Sequence, residues 1–138
     1  MDLFSNLRNM KILIIDDDEW IRDSLRLFFE AEGCHVVVLE TAEEGLAELN
    51  HQAYDLIIVD YKLPGLDGVE FLKRIPDEHS VAVKVLITAY RTSGLVAEAR
   101  KLKIQGFIQK PFTSESLMAS LGHLLEMRDF KKRRGIHT

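Results

Sequence analysis

Five short apolar runs decide most of what this chain can fold into. They occupy residues 12–15, 36–39, 56–59, 83–87 (interrupted by Lys84) and 104–108. Most are rich in Val and Ile and show no polar alternation. A strand with one wet face alternates, whereas a strand apolar throughout needs cover on both faces, as in a parallel sheet. The stretches between the runs carry helical spacing instead. Ile21, Leu25, Phe28 and Phe29 follow i, i+4, i+7, i+8, and Ala42, Gly45, Leu46 and Leu49 repeat the pattern with smaller side chains. Leu117, Leu121, Leu124 and Leu125 repeat it near the end. Residues 95–102, with Leu95, Val96, Ala99 and Leu102 on one side, make the weakest stripe. Strand and helix therefore alternate five times. Right-handed crossovers turn such a series into an α/β fold, a doubly wound five-stranded parallel sheet with helices on both faces.

The punctuation agrees with these boundaries. Thr41 with Glu44, and Asp67 with Glu70, have the spacing of a capping box. Thr113 is placed to cap the last helix, Gly33 stands where the first should stop, and Pro64–Gly65 breaks the loop after the third strand. A length of 138 residues is one domain at common sizes and buries enough surface to fold without disulfide or metal. We expect an extension over residues 1–10, a folded domain over 11–128 and a basic tail over 129–138. Leu3, Phe4, Leu7 and Met10 read as a loosely docked terminus. The KKRR run at 131–134 reads as a solvated helix end, where cations are favourable. With 18 basic and 22 acidic residues, the formal charge of -4 makes a poor platform for nucleic acid. The only cysteine, Cys34, excludes an intrachain disulfide and fits a reducing, cytoplasmic setting. The first ten residues lack the apolar core of a signal peptide, and no apolar run approaches the roughly 20 residues that span a bilayer.

Acids gather at the strand ends. Asp16, Asp17 and Asp18 follow the first strand, and Asp60 follows the third. Ligands of doubly wound sheets bind beyond the C-terminal strand ends, where the strand order reverses. Were the strand order 2-1-3-4-5, as in flavodoxin-like sheets, that point would lie between the first and third strands, and Asp16, Asp17 and Asp60 would converge there. Crowded carboxylates raise one another's pKa unless a cation intervenes. Mg²⁺ seeks oxygen ligands and commonly joins one or two carboxylates to a phosphate. Asp18 and Glu19 read more simply as acids at a helix start. Thr88 and Lys110 end the fourth and fifth strands and point toward the same rim. A hydroxyl donor and a counter-charge beside a metal are what a phosphoryl group requires.

With these residues in order, the chain resembles the response-regulator receiver domain of bacterial two-component signalling, a flavodoxin-like fold of the chemotaxis-receiver type. The resemblance is carried by ILIIDDDEWIR at 12–22, LIIVDYKLPGLDG at 56–68, LITAY at 86–90 and GFIQKPF at 106–112, and runs from about residue 11 to about residue 127. It implies that Asp60 is the phosphoacceptor, taking a phosphoryl group from the phosphohistidine of a sensor histidine kinase or a histidine phosphotransfer protein. It implies that Asp17 binds Mg²⁺ directly and Asp16 mainly through water, with Asp60 and the backbone carbonyl of Lys62 completing the set. Thr88 and Lys110 would bind the phosphoryl oxygens, and the Lys110–Pro111 bond would be cis. On phosphorylation Thr88 would move toward the new oxygens and Phe107 would turn inward; simple core packing is an equal reading of Phe107. The implied output surface, for a downstream effector and for homodimers, is the face of the fourth helix, fifth strand and fifth helix. Lys62 and Tyr90 would flank the phosphoryl group. Neither is suited to orient an attacking water, and Tyr90 is bulky enough to shield phosphorus, so slow autodephosphorylation is expected. The implied role is a phosphoacceptor signalling domain that catalyses only its own phosphorylation and dephosphorylation.

Two other readings compete. A phosphatase of the haloacid dehalogenase type carries Asp-x-Asp-x-Thr/Val after a strand; residues 16–19 match its first half, but Trp20 stands where Thr or Val belongs. The alternative within the same fold is a phosphorylation-independent protein-interaction module, which the loss of a core site residue would suggest; none is missing. The few residues after the last helix are too short for an output domain, which is compatible with a stand-alone domain or with part of a longer regulator.

Overall fold

A computed structural model describes residues 8–79 and 81–133, with side chains up to residue 126. Strands and helices alternate as β1 (Lys11–Ile15), α1 (Glu19–Ala31), β2 (His35–Leu39), α2 (Ala42–Leu49), β3 (Leu56–Asp60), α3 (Gly68–Lys73), β4 (Val83–Thr88), α4 (Ser93–Lys101), β5 (Gly106–Gln109) and α5 (Ser114–Arg133), with a single 3-10 turn at Asp77–His79. The sheet order is β2-β1-β3-β4-β5 and every pairing is parallel. This is the expected doubly wound fold.

Period-two alternation sorts each strand's side chains onto two apolar faces. Ile12, Ile14, Leu56, Ile58, Val85 and Ile87 pack against Leu25 and Phe29 of α1 and Leu117, Leu121 and Leu125 of α5. Leu13, Ile15, Ile57, Val59 and Leu86 pack against Ala42 and Leu49 of α2, Val69, Phe71 and Leu72 of α3, and Leu95 of α4. Central β3 is buried along its whole length, whereas edge strand β2 is only half-buried. The unalternating apolar runs are thus the consequence of cover on both faces.

The helix ends follow the sequence signals closely. Thr41 and Glu44 form a reciprocal capping box, with Glu44 N–H donating to Thr41 Oγ1 (3.1 Å) and Thr41 N–H to Glu44 Oε1 (3.0 Å). Asp67 caps α3 by accepting from Glu70 N–H at 2.8 Å. Thr113 accepts from Ser116 N–H at 3.0 Å. Helix α1 closes at Gly33 (φ +77°), with Cys34 N–H bonded to Phe29 O and Gly33 N–H to Glu30 O, a Schellman turn.

Two boundaries differ from the sequence reading. The fifth strand begins at Gly106, not Ile104. Ile104 N–H is bonded to Ala99 O and Lys103 N–H to Arg100 O, so both residues belong to the closing turn of α4. Lys103 takes the left-handed conformation there (φ 59°), the place glycine marks elsewhere. At the other end, α5 continues to Arg133, so part of the expected basic tail is helical. Leu3, Phe4, Leu7, Arg134 and the side chains of residues 131–133 lie outside the described residues, while Met10 is half-buried against the α1–α5 side of the core.

Candidate functional site

The site forms where adjacent β1 and β3 part from each other, their pairing ending at Ile15 and Val59. Asp16 leaves β1 with its N–H bonded to Leu39 O of β2 (3.1 Å) and its carbonyl accepting from Arg22 Nη1 of α1 (2.8 Å). Its Oδ1 accepts from Asp18 N–H at 2.9 Å. Asp18 in turn caps α1, accepting from the N–H groups of Trp20 and Ile21. That matches the simpler reading of Asp18 as a helix-start acid. Asp60 ends β3, and Gly68 crosses directly over its backbone: a Cβ on Gly68 would lie 2.3 Å from the Asp60 carbonyl oxygen. The second glycine of the LPGLDG segment, Gly68, is therefore required by the close approach of α3 to the phosphoacceptor candidate.

Asp16, Asp17 and Asp60 each offer a carboxylate oxygen within 4.8 Å of the others. Asp16 is fully buried and Asp60 nearly so, while Asp17 faces solvent. Lys110 reaches both buried acids, with Nζ 3.0 Å from Asp60 Oδ2 and 3.2 Å from Asp16 Oδ2. Only the first contact has hydrogen-bond alignment; Asp16 Oδ2 is left without a hydrogen-bond donor. The Lys110–Pro111 bond is cis, and Lys110 N–H is tied to Thr88 O at 2.8 Å, so the ends of β4 and β5 are held together.

The electrostatics are those of a cation site with too little positive charge. Burial pushes the Asp16 carboxyl up to about 6; the Asp18 N–H bond opposes this, and Asp60 adds to it. Burial also raises Asp60, against the pull of its hydrogen bond and ion pair with Lys110. Burial disfavours the Lys110 ammonium, yet the hydrogen bond to Asp60 and the charges of Asp16 and Asp60 outweigh it and its pKa rises. One ammonium thus serves a cluster of three carboxylates. An orphaned buried oxygen, oxygen-only ligands and surplus negative charge fit a hard divalent ion such as Mg²⁺.

Of the remaining expected residues, Thr88 ends β4 beside Lys110, whereas Phe107 lies within β5. Thr88 is buried, and its Oγ1 donates to Tyr90 O (3.1 Å) and accepts from Tyr90 N–H (3.2 Å). Lys62 is exposed and its N–H approaches Asp60 Oδ1 at 3.4 Å. Tyr90 is 75% exposed. Phe107 is half-buried on the α2–α4 side, with the Arg91 guanidinium 5.0 Å from its ring centroid. Arg22 and Arg91 had no distinguishing spacing in the sequence; their roles depend on how α1 and the loop after β4 fold back. Exposed Trp20 and Tyr90 flank an open groove with Phe28, Pro111 and Phe112, and Lys110 lies at its mouth.

A parallel 2-1-3-4-5 sheet carrying two buried acids, an exposed third, a threonine and a lysine on one rim defines a phosphoacceptor-type signalling domain. The family model "response regulator receiver domain" matches residues 12–122; the chain belongs to that family. It is 34% identical over 110 residues to the transcriptional regulatory protein FixJ of Bradyrhizobium diazoefficiens, covering 80% of this chain and 54% of that protein. It is 29% identical over 122 residues to the sporulation initiation phosphotransferase F of Bacillus subtilis, covering 88% and 98%. Among solved structures, a CheY-like receiver domain protein of Methanospirillum hungatei superposes with a TM-score of 0.78 at 29% identity, covering 90% of this chain and 97% of that one. The chain spans 26–54% of the length of the first three curated relatives it matches.

Proposed function

We propose that Asp60 accepts a phosphoryl group from a phosphohistidine and that the resulting aspartyl phosphate switches the α4–β5–α5 face. The observation that carries this reading is the shared hold of Lys110 on the two buried carboxylates at the ends of β1 and β3. An Asp60 oxygen forms a bond to phosphorus as the donor's phosphorus–nitrogen bond breaks, and the imidazole leaves with the electron pair and takes up a proton. Asp16, Asp17, Asp60 and the Lys62 carbonyl would hold Mg²⁺, which when bound offsets the charge of the carboxylates and of the incoming phosphoryl oxygens. Lys110 supplies a fixed positive charge where negative charge accumulates. Thr88 exchanges its local bonds with Tyr90 for a phosphoryl oxygen, and the motion reaches Phe107 through the loop that carries Arg91.

The donor is a sensor histidine kinase or histidine phosphotransfer protein, with a downstream effector as the recipient of the signal. The apolar groove beside Lys110, with exposed Trp20 at its edge, offers the donor a docking surface next to the acceptor. Among the described residues no helix is long and apolar enough to cross a membrane, and the buried free thiol of Cys34 accords with a cytoplasmic setting. The domain then acts as a single-turnover phosphoacceptor and not as an enzyme on an external substrate. Transfer of radiolabelled phosphoryl from a phosphohistidine donor tests this. The expected label is stoichiometric, Mg²⁺-dependent and released by hydroxylamine, as an acyl phosphate is. Continuous release of many equivalents of phosphate would instead indicate a phosphatase, and absence of label with retained partner binding would indicate a phosphorylation-independent module.

A further inference from the structure

Where the chain leaves β1, one hydrogen bond of the ladder has no strand donor, and a side chain of α1 supplies it. Alternate residues of β1 turn their peptide groups toward β2. Asp16 is the last of these, and its N–H reaches Leu39 O at 3.1 Å. The next rung would join the Asp16 carbonyl to Thr41 N–H. That N–H is already bonded to Glu44 Oε1 at 3.0 Å, in the capping box of α2. Asp16 is fully buried, and a buried carbonyl left without a donor is costly. Arg22, in the first turn of α1, closes the gap with Nη1 2.8 Å from Asp16 O. Its guanidinium makes no ion pair among the described residues. It therefore braces the backbone of the acid while pairing with none of the carboxylates of the cluster.

We infer that Arg22 is a positioning residue for the divalent-ion site: by holding the Asp16 carbonyl it fixes how the Asp16 carboxylate is presented beside Asp17 and Asp60. The inference rests on the reading of those three acids as that site. The backbone of Asp16 is held by Leu39 and Arg22, and its Oδ1 by Asp18 N–H, which leaves Oδ2 as the oxygen without a hydrogen-bond donor. Mg²⁺ demands near-ideal octahedral oxygens, whereas Ca²⁺ accepts variable and flexible coordination. A braced Asp16 thus favours Mg²⁺ over Ca²⁺. The bond to the carbonyl uses a single nitrogen of the guanidinium, so the fork geometry that sets arginine apart from lysine is not needed here.

Titration of the full chain with MgCl₂ and with CaCl₂, followed by the amide NMR signals of Asp17 and Lys62, tests the inference. Arg22→Met keeps an apolar stem and removes the donor. It should weaken Mg²⁺ binding about tenfold or more and Ca²⁺ binding by less than about threefold. Arg22→Lys, which keeps a donor, should recover most of the Mg²⁺ affinity. Arg26→Met, on the same helix but paired with Asp23, should leave both affinities unchanged. Unchanged Mg²⁺ affinity in Arg22→Met, equal losses for the two ions, no recovery in Arg22→Lys, or an equal loss in Arg26→Met overturns the inference and leaves the ion site standing. A wild-type chain that binds neither ion at those amides removes the ion site itself, and the inference with it.

Discussion

Asp16 is buried where its charge is poorly accommodated, and the consequences are measurable. Its carboxyl stands at about 6 in the folded chain against 3.8 in the unfolded one. The folded state therefore holds the extra proton between those values, and its stability falls as pH rises through that window. The size of the effect is at most about 3 kcal/mol, from roughly two pK units. Asp16→Asn should accordingly raise the melting temperature in EDTA, by more at pH 7 than at pH 4. Mg²⁺ should stabilise the wild type more than the variant, which keeps Asp17 and Asp60 but loses one carboxylate of the cluster. A variant less stable than wild type at pH 7 in EDTA contradicts the electrostatic account of the site. Tyr90 makes a second residue-scale test. If its ring shields phosphorus, Tyr90→Ala should shorten the lifetime of the phosphorylated chain severalfold, read as the loss of acyl phosphate with time. An unchanged lifetime removes the shielding argument.

At the scale of elements, the strands were legible because burial on both sides leaves no polar alternation, and α1, α2 and α5 because their stripes and caps agree. Asp67 marks the start of α3 correctly, but its six residues GVEFLK are too short to establish a stripe. The end of α4 was hidden because Lys103, not glycine, takes the left-handed turn, so Ile104 and Gln105 read as strand. Gly68 was visible in the motif, yet its reason is three-dimensional: the Asp60 backbone occupies the space of a side chain. Gly68→Ala should cost about 2 kcal/mol or more, since the clash is with backbone and cannot be relieved by a rotamer change. Urea denaturation measures this, and a cost below about 0.5 kcal/mol would show that α3 moves freely away from β3. Thr41→Ala removes the capping box of α2 and should cost about 1 kcal/mol while leaving Asp60 labelling intact. Loss of labelling there would mean that α2 governs the site more directly than its packing implies.

For the molecule as a whole, the convergence of Asp16, Asp17 and Asp60 was legible because a doubly wound sheet of this order has one switch point, and acids follow both strands that meet there. What sequence could not supply is the balance of charge: that Lys110 bridges both buried acids, that Asp16 keeps an unbonded oxygen, and that Arg91 lies over Phe107. Each depends on loops whose course no periodicity encodes. The central claim is that these groups form one phosphoryl-accepting centre with Asp60 as its nucleophile. Intact mass after incubation with acetyl phosphate and Mg²⁺ tests it most directly, on the wild type and on Asp60→Asn. One added phosphoryl group in the first and none in the second is the predicted result; equal addition to both, or none to either under conditions where the chain binds Mg²⁺, contradicts it.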